Sequence, residues 1–253
     1  MIIAVLGIGE AGYALASDLL AAGVTVRGWD PKPKHIPAGM ELTDSNADAV
    51  QGAEVILSVN WASVAIEVAR EVAPVLVTGQ LYADLNTASP QNKRAVAAII
   101  KPTGALFADT ALMAPVLPKG LQTPIYVSGS GAQAFFERMS SVGMSITVLD
   151  DEAGNAATHK LIRSVMYKGV AAVVMECLEA AEAFGLESYA RAQIMTLLKD
   201  EAMIDRFVKG SKQHAQRRQH EMEAVVELLD SVGVSPFTSR ASIDKLKELF
   251  YES

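Results

Sequence analysis

The chain has 253 residues, half of them hydrophobic, with 22 Lys and Arg against 29 Asp and Glu and a formal net charge of −7. That is enough apolar material for one large or two medium domains, and an acidic balance with no Lys/Arg run excludes a nucleic-acid footprint. A lone cysteine, Cys177, excludes internal disulfides and cysteine metal clusters and suits a reducing cytoplasm.

The first apolar run is too short for a signal sequence and has no basic lead. No stretch reaches about 18 apolar residues free of charge, so no membrane span is expected. That run, Ile2 to Leu6, reads as a strand and ends in Gly7-Ile8-Gly9-Glu10-Ala11-Gly12. A helical pattern follows through Leu15, Leu19 and Leu20 until Gly23, and a second strand, Val24 to Trp29, ends on Asp30. In this strand-turn-helix context the glycines have mechanical reasons: a tight turn at Gly7, close backbone approach to a pyrophosphate at Gly9, and helix-strand packing at Gly12. The helix start offers N–H groups and a positive dipole end to phosphates. Glu10 is odd beside a pyrophosphate, but pointing outward at a helix N-terminus it is stabilised.

Asp30 sits where a carboxylate accepts hydrogen bonds from adenosine ribose hydroxyls, which favours NAD. Lys32 and Lys34, just beyond it, read either as a clamp for the extra phosphate of NADP or as ordinary solvated charges. The expected cofactor is therefore NAD or NADP, with a lean to NAD.

Short β-rich runs then alternate with helical stretches, which predicts a mostly parallel sheet covered on both faces. Strands are expected at 53–59, 81–85, 107–109, 125–128 and 145–149, and helices at 63–72, 90–100 and 132–139; residues 75–77 are ambiguous. Past Gly154 the pattern becomes helical to the end. The reading is an α/β protein with an N-terminal Rossmann dinucleotide-binding domain at 1–152 and an all-α substrate and dimerisation domain at 153–253. Its first helix, 156–184 with Gly185 as the stop, is apolar nearly all round, Cys177 included, and must be covered on every side. A second subunit is expected to help, making a homodimer. Further helices are expected at 189–199, 211–232 and 238–251.

Lys160, Ser164 and Lys168 recur at four-residue steps on that helix, with Tyr167 beside them, and so share a face. Lys160 reads either as a desolvated proton shuttle or as a surface residue of the first turn. Asn60 and Asn86 follow strand ends, where open α/β sheets meet their cofactor, or cap loops there. Arg217 and Arg218, with His214 a turn away, read either as solvated helix charges or as a clamp for a substrate carboxylate.

Several segments together resemble the β-hydroxyacid dehydrogenase superfamily, which includes 6-phosphogluconate and 3-hydroxyisobutyrate dehydrogenases. They are the glycine loop, the run Asp84-Leu85-Asn86-Thr87-Ala88-Ser89-Pro90, the approach Gly154-Asn155-Ala156-Ala157-Thr158-His159-Lys160, and the helical tail. The resemblance spans nearly the whole chain. Lys160-Leu161-Ile162-Arg163-Ser164 with Lys168-Gly169, and the segment from His214 to Met222, are similar to a phosphogluconate-dehydrogenase-like branch. The resemblance implies that Lys160 is general acid/base on a substrate hydroxyl. Where the family has a substrate-binding asparagine this sequence has Ser164, and Met113 stands about where the family has a serine shortly after an aspartate like Asp109.

The function expected is hydride transfer between NAD(P) and a small hydroxy acid, or its keto or semialdehyde form. Lys160 moves the proton and Ser164 orients the oxygen; Met113, Lys168, His214, Arg217 and Arg218 are the further substrate-binding candidates, and no metal is expected. Imine reduction on the same fold and a non-catalytic dinucleotide-binding regulator are the alternatives.

Overall fold

The computed structural model describes residues 1–251, so the last two positions of the helical domain read at 153–253 lie outside the described residues. The chain divides into two compact units, Met1–Lys160 and Leu161 onward.

The first unit opens with β1 (Ile2–Leu6), α1 (Glu10–Ala21) and β2 (Thr25–Trp29). There follow β3 (Glu41–Leu42), α2 (Asn46–Val50), β4 (Val55–Ser58), α3 (Ala65–Val72) and β5 (Leu81–Asp84). The unit continues through α4 (Pro90–Ile100), β6 (Leu106–Leu112), β7 (Ile125–Ser128), α5 (Ala132–Ser140) and β8 (Ile146–Val148) into the start of α6 (Asn155–Ala183). The eight strands form one sheet in the order β3-β2-β1-β4-β5-β6-β7-β8. All neighbours are parallel except β6 and β7.

Side chains alternate across a strand, and here both sides are buried. Ile3, Val5, Val55 and Leu57 pack with Leu15 and Leu19 of α1, while Ala4, Leu6 and Ile56 pack with Val68 and Val72 of α3. Each such Leu, Ile or Val contributes roughly 1.5–3 kcal/mol through burial. This double cover is why the strands read as continuous apolar runs.

The structure adds β3 and α2, both too short to leave a periodic signal. Residues 73–75 form a 3₁₀ turn, so the ambiguous run there is no strand. β6 runs well beyond the expected 107–109.

The second unit holds the rest of α6 with α7 (Glu187–Leu198), α8 (Glu201–Gln213), α9 (Ala215–Ser231) and α10 (Phe237–Tyr251). Leu161 and Met175 of α6 join Met222, Val225 and Leu246, whereas Ala171 and Val174 join Ile194, Ile204 and Phe207. A third stripe of α6, with Ile162, Met166 and Val173, is exposed, as is Phe184 just past its end. Cys177 lies on this stripe and is exposed, which corrects its reading as a core residue: an all-apolar helix hides only the faces its neighbours cover. α8 was absent from the sequence reading, and the helix expected from residue 211 begins instead at Ala215. Asp200 caps α8, accepting from the Met203 N–H at 3.1 Å.

Candidate cofactor and acid/base site

Strand register puts Trp29, Leu6, Ser58, Asp84, Asp109 and Ser128 in one rung across β2, β1, β4, β5, β6 and β7. Sequence order reverses between β1 and β4, and beyond the carboxyl ends of such strands an open α/β sheet binds its ligand. Gly7 follows Leu6 there, Asn60 lies just past Ser58, and Asn86 and Thr87 lie just past Asp84.

Gly7 has a positive φ of 96°, and a Cβ there would lie 2.5 Å from the Val59 carbonyl oxygen. A Cβ on Gly12 would lie 2.0 Å from the Gly7 oxygen, so α1 can approach β1 only with glycine at this position. Gly9, by contrast, faces open space, with nothing within 4 Å of the place a Cβ would take. It is also the N-cap of α1, and no side chain caps that helix. These residues fit a pyrophosphate: an uncrowded backbone at an uncapped helix N-terminus. Glu10 is exposed.

Asp30 ties β2 to this loop. Its Oδ2 accepts from the Ile8 N–H at 2.7 Å and its Oδ1 from the Lys32 N–H at 2.8 Å. Lys32 and Lys34 are exposed beyond it. Asn86 is buried and acts as a brace: its Oδ1 accepts from the Asn60 N–H and its Nδ2 donates to Ser58 Oγ at 3.1 Å. Asn60 donates to the same Ser58 hydroxyl at 3.2 Å and keeps its side chain beside Gly7.

Lys160 is 9% exposed, not a surface residue of the first turn, and its Nζ donates to Thr87 Oγ1 at 2.6 Å. Thr87 was in the motif quoted above but was not singled out; its place directly after a strand end was the available signal. Met113 follows β6, half-buried, its N–H bonded to the Pro124 carbonyl at 2.8 Å.

In the second unit Ser164 and Lys168 meet Glu221, which sequence reasoning did not single out although it lies in the His214-to-Met222 segment. Glu221 Oε1 accepts from the Ser164 hydroxyl and from Lys168 Nζ, the latter at 2.7 Å. Burial holds the Lys168 ammonium below the ordinary lysine range, against the upward pull of Glu221. Arg217, half-exposed, reaches the other oxygen of Glu221 at 4.0 Å. Arg218 is buried and donates to Ser211 Oγ at 2.7 Å, which braces α9 to α8. His214 lies between those helices as the N-cap of α9.

The parallel sheet, the order reversal and the glycine turn define a Rossmann dinucleotide-binding protein. Residues 2–116 match the NAD-binding domain of 6-phosphogluconate dehydrogenase, and residues 181–249 match a domain of unknown function, DUF1932. The conserved protein MTH1747, whose structure is described as similar to 3-hydroxyacid dehydrogenases, is 30% identical, with a TM-score of 0.75 over 99% of this chain and 98% of that one. The chain thus belongs to the β-hydroxyacid dehydrogenase superfamily of 6-phosphogluconate and 3-hydroxyisobutyrate dehydrogenases. The NAD-dependent L-serine dehydrogenase of Pseudomonas aeruginosa is 26% identical, covering 76% of this chain and 68% of that protein. Two more distant structures share the fold. The 3-hydroxyisobutyrate dehydrogenase of Mycobacterium tuberculosis, with L-serine, is 19% identical at a TM-score of 0.80, covering 98% and 92%. The imine reductase of Streptomyces aurantiacus is 19% identical at 0.65, covering 98% and 94%. Among the described residues no helix is long and apolar enough to cross a membrane.

Proposed function

We propose that the chain is a cytoplasmic NAD(P)-dependent oxidoreductase acting on a small β-hydroxy acid or its oxidised form. The observation that carries this is the buried amine of Lys160, held 2.6 Å from Thr87 Oγ1 next to the sheet edge that bears the glycine loop. When bound, a nicotinamide dinucleotide supplies a hydride acceptor or donor. Gly7, Gly9 and the α1 N-terminus would hold its phosphates and Asp30 its ribose, and the negative charge of Asp30 opposes a 2′-phosphate, which favours NAD.

Lys160 takes the proton of the substrate hydroxyl in oxidation and returns it in reduction, with Thr87 Oγ1 as the group that aims Nζ. Ser164, Lys168, Met113, His214, Arg217 and Arg218 are the substrate-side candidates. Lys168, Arg217 and Arg218 outnumber Glu221, a balance that favours a carboxylate-bearing substrate. General acid/base action of this kind is worth about 10²–10⁴ in rate. The test is a panel of L-serine, 3-hydroxyisobutyrate, other hydroxy acids and cyclic imines, read by NAD(P)H absorbance. Lys160→Ala should lower turnover on that scale and leave NADH affinity within about twofold; unchanged turnover would remove Lys160 from the reaction.

Imine reduction is the second reading. It is supported by Met113 and Ser164, which stand where the resemblance implies a serine and an asparagine on a hydroxy-acid substrate, and consumption of cyclic imines alone would establish it. Tight NADH binding with no turnover of either class would instead favour a regulator.

The exposed stripe of α6, where Met166 is 75% and Val173 61% exposed, is covered in this reading by a second copy of the chain.

A further inference from the structure

The first unit contains a buried charged cluster with no part in the reaction proposed above. Asp84 and Asp109 are neighbours in the β5–β6 register, and both are fully buried. Lys93, from α4 and equally buried, lies 3.3 Å from Asp84 Oδ1 and 3.4 Å from Asp109 Oδ1, and donates to the Asp84 carbonyl at 2.6 Å. Two carboxylates side by side in a dry interior repel each other, and one ammonium balances only one of them.

The other balance comes from the start of α6. Asp109 Oδ2 accepts from the Gly154 N–H at 3.0 Å and the Ala157 N–H at 3.1 Å. Ser128, opposite Asp109 in the β6–β7 register, donates to the same Oδ2 at 3.2 Å and accepts from the Ala156 N–H at 3.0 Å. The first N–H groups of a helix have no partner within it, and its N-terminus attracts negative charge. Here those groups are bonded by two side chains of the sheet. The amine of Lys160 follows within the next turn, where Nζ meets Thr87.

We propose that Asp109, steadied by Lys93, is a positioning residue for Lys160: it caps α6 from the sheet and fixes the turn that carries the amine. Its catalytic consequence rests on the reading of Lys160 above; the capping rests on the geometry alone.

The experiment compares wild type, Asp109→Ala and Asp109→Asn by amide hydrogen exchange, by acetylation of Lys160 with an activated ester read by peptide mass, and by the kcat and KM of turnover. In Asp109→Ala, exchange at residues 156–160 should rise at least about tenfold more than elsewhere in the chain, and Lys160 should acetylate faster. Turnover should fall about 10- to 100-fold with KM changed less than threefold. Asp109→Asn keeps an oxygen acceptor and the shape of the side chain, so it should recover part of each loss; it also serves if the alanine variant does not fold. Unchanged exchange at 156–160 in both variants overturns the capping. Faster exchange with an unaltered acetylation rate and turnover overturns the link to Lys160. A wild-type chain that turns over nothing refutes the functional reading, and the exchange and acetylation results still decide this one.

Discussion

Ser164 and Glu221, on different helices of the second unit, are joined by a hydrogen bond that also draws in Lys168, whose Nζ lies 2.7 Å from the same carboxylate oxygen. Glu221 is buried, so either partner matters to it. Removing one member of a buried ion pair costs about 3–5 kcal/mol, whereas replacing both by apolar groups is often near neutral. Lys168→Met should therefore lower unfolding free energy on that scale, and Lys168→Met with Glu221→Leu should recover most of it. Urea denaturation of the two variants measures the difference. Ser164→Ala should cost less, about 1.5–3 kcal/mol, since it removes one hydrogen bond to a charged group.

Gly9 and Gly12 should part company under substitution. Gly12→Ala forces a Cβ against the Gly7 oxygen and should cost about 1–3 kcal/mol of stability as well as dinucleotide binding. Gly9→Ala meets no protein atom, so stability should change by under about 0.5 kcal/mol while NADH affinity falls at least tenfold. Fluorescence titration with NADH, set beside urea midpoints, separates the two effects.

Asp30 holds the Ile8 N–H of the cofactor loop and the Lys32 N–H just beyond β2, besides carrying the charge that opposes a 2′-phosphate. Asp30→Ala should weaken NADH by about tenfold, in line with one charge-assisted hydrogen bond. NADPH should lose less, because repulsion is relieved as the loop loosens, so the ratio of the two Kd values moves toward NADPH. Calorimetric titration with both nucleotides checks this, and an unchanged ratio would detach Asp30 from cofactor choice.

Burial raises the Asp84 carboxyl above the ordinary carboxylate range, and neighbouring Asp109 adds to this, while Lys93 and the Asn86 N–H oppose it. An acid raised in the folded state contributes its stability below its unfolded pKa, about 4, and loses it as pH rises through the native value. The stability advantage of wild type over Asp84→Asn should therefore shrink as pH rises above about 4. Urea midpoints of the pair across pH 4–8 measure the trend, and an advantage that grows with pH would reverse the assignment.

The exposed face of α6 makes the last prediction. If a second copy covers it, light scattering should give twice the mass of one chain, and Met166→Glu with Val173→Glu should shift the species toward monomer. A wild-type monomer would leave that apolar face unexplained by self-association.

The glycine loop, β1, β2 and Asp30 were legible because their residue types answer to local rules: apolar runs, a turn that needs glycine, an acid at a strand end. Most other strands of the sheet were legible for a related reason, since cover on both faces leaves uninterrupted apolar runs; the two-residue, exposed β3 was not. α8 escaped although Met203, Ile204, Phe207 and Val208 share one face, because that apolar set spans little more than one turn and its cap at Asp200 is a single side chain. Cys177 shows the opposite failure: hydropathy says that a residue is apolar, not that a neighbour has come to cover it. The partnerships Lys160–Thr87, Ser164–Glu221 and Asp109–Gly154 join residues far apart in sequence, and no spacing rule encodes which distant side chain a register will bring alongside.

The single antiparallel step between β6 and β7 governs how the chain leaves the sheet. β6 climbs past the carboxyl ends of its parallel neighbours, and β7 and β8 descend again, bringing the polypeptide back to the rim at Ser128 and Asp150. Had those strands kept climbing, α6 would set out from beyond the rim, out of reach of Thr87. Chain length is thus under unequal control. A residue added at 151–153, ahead of the N–H groups that Asp109 and Ser128 hold, leaves α6 in register, whereas one added between Gly154 and Lys160 would turn Lys160 roughly 100° away from its hydroxyl partner.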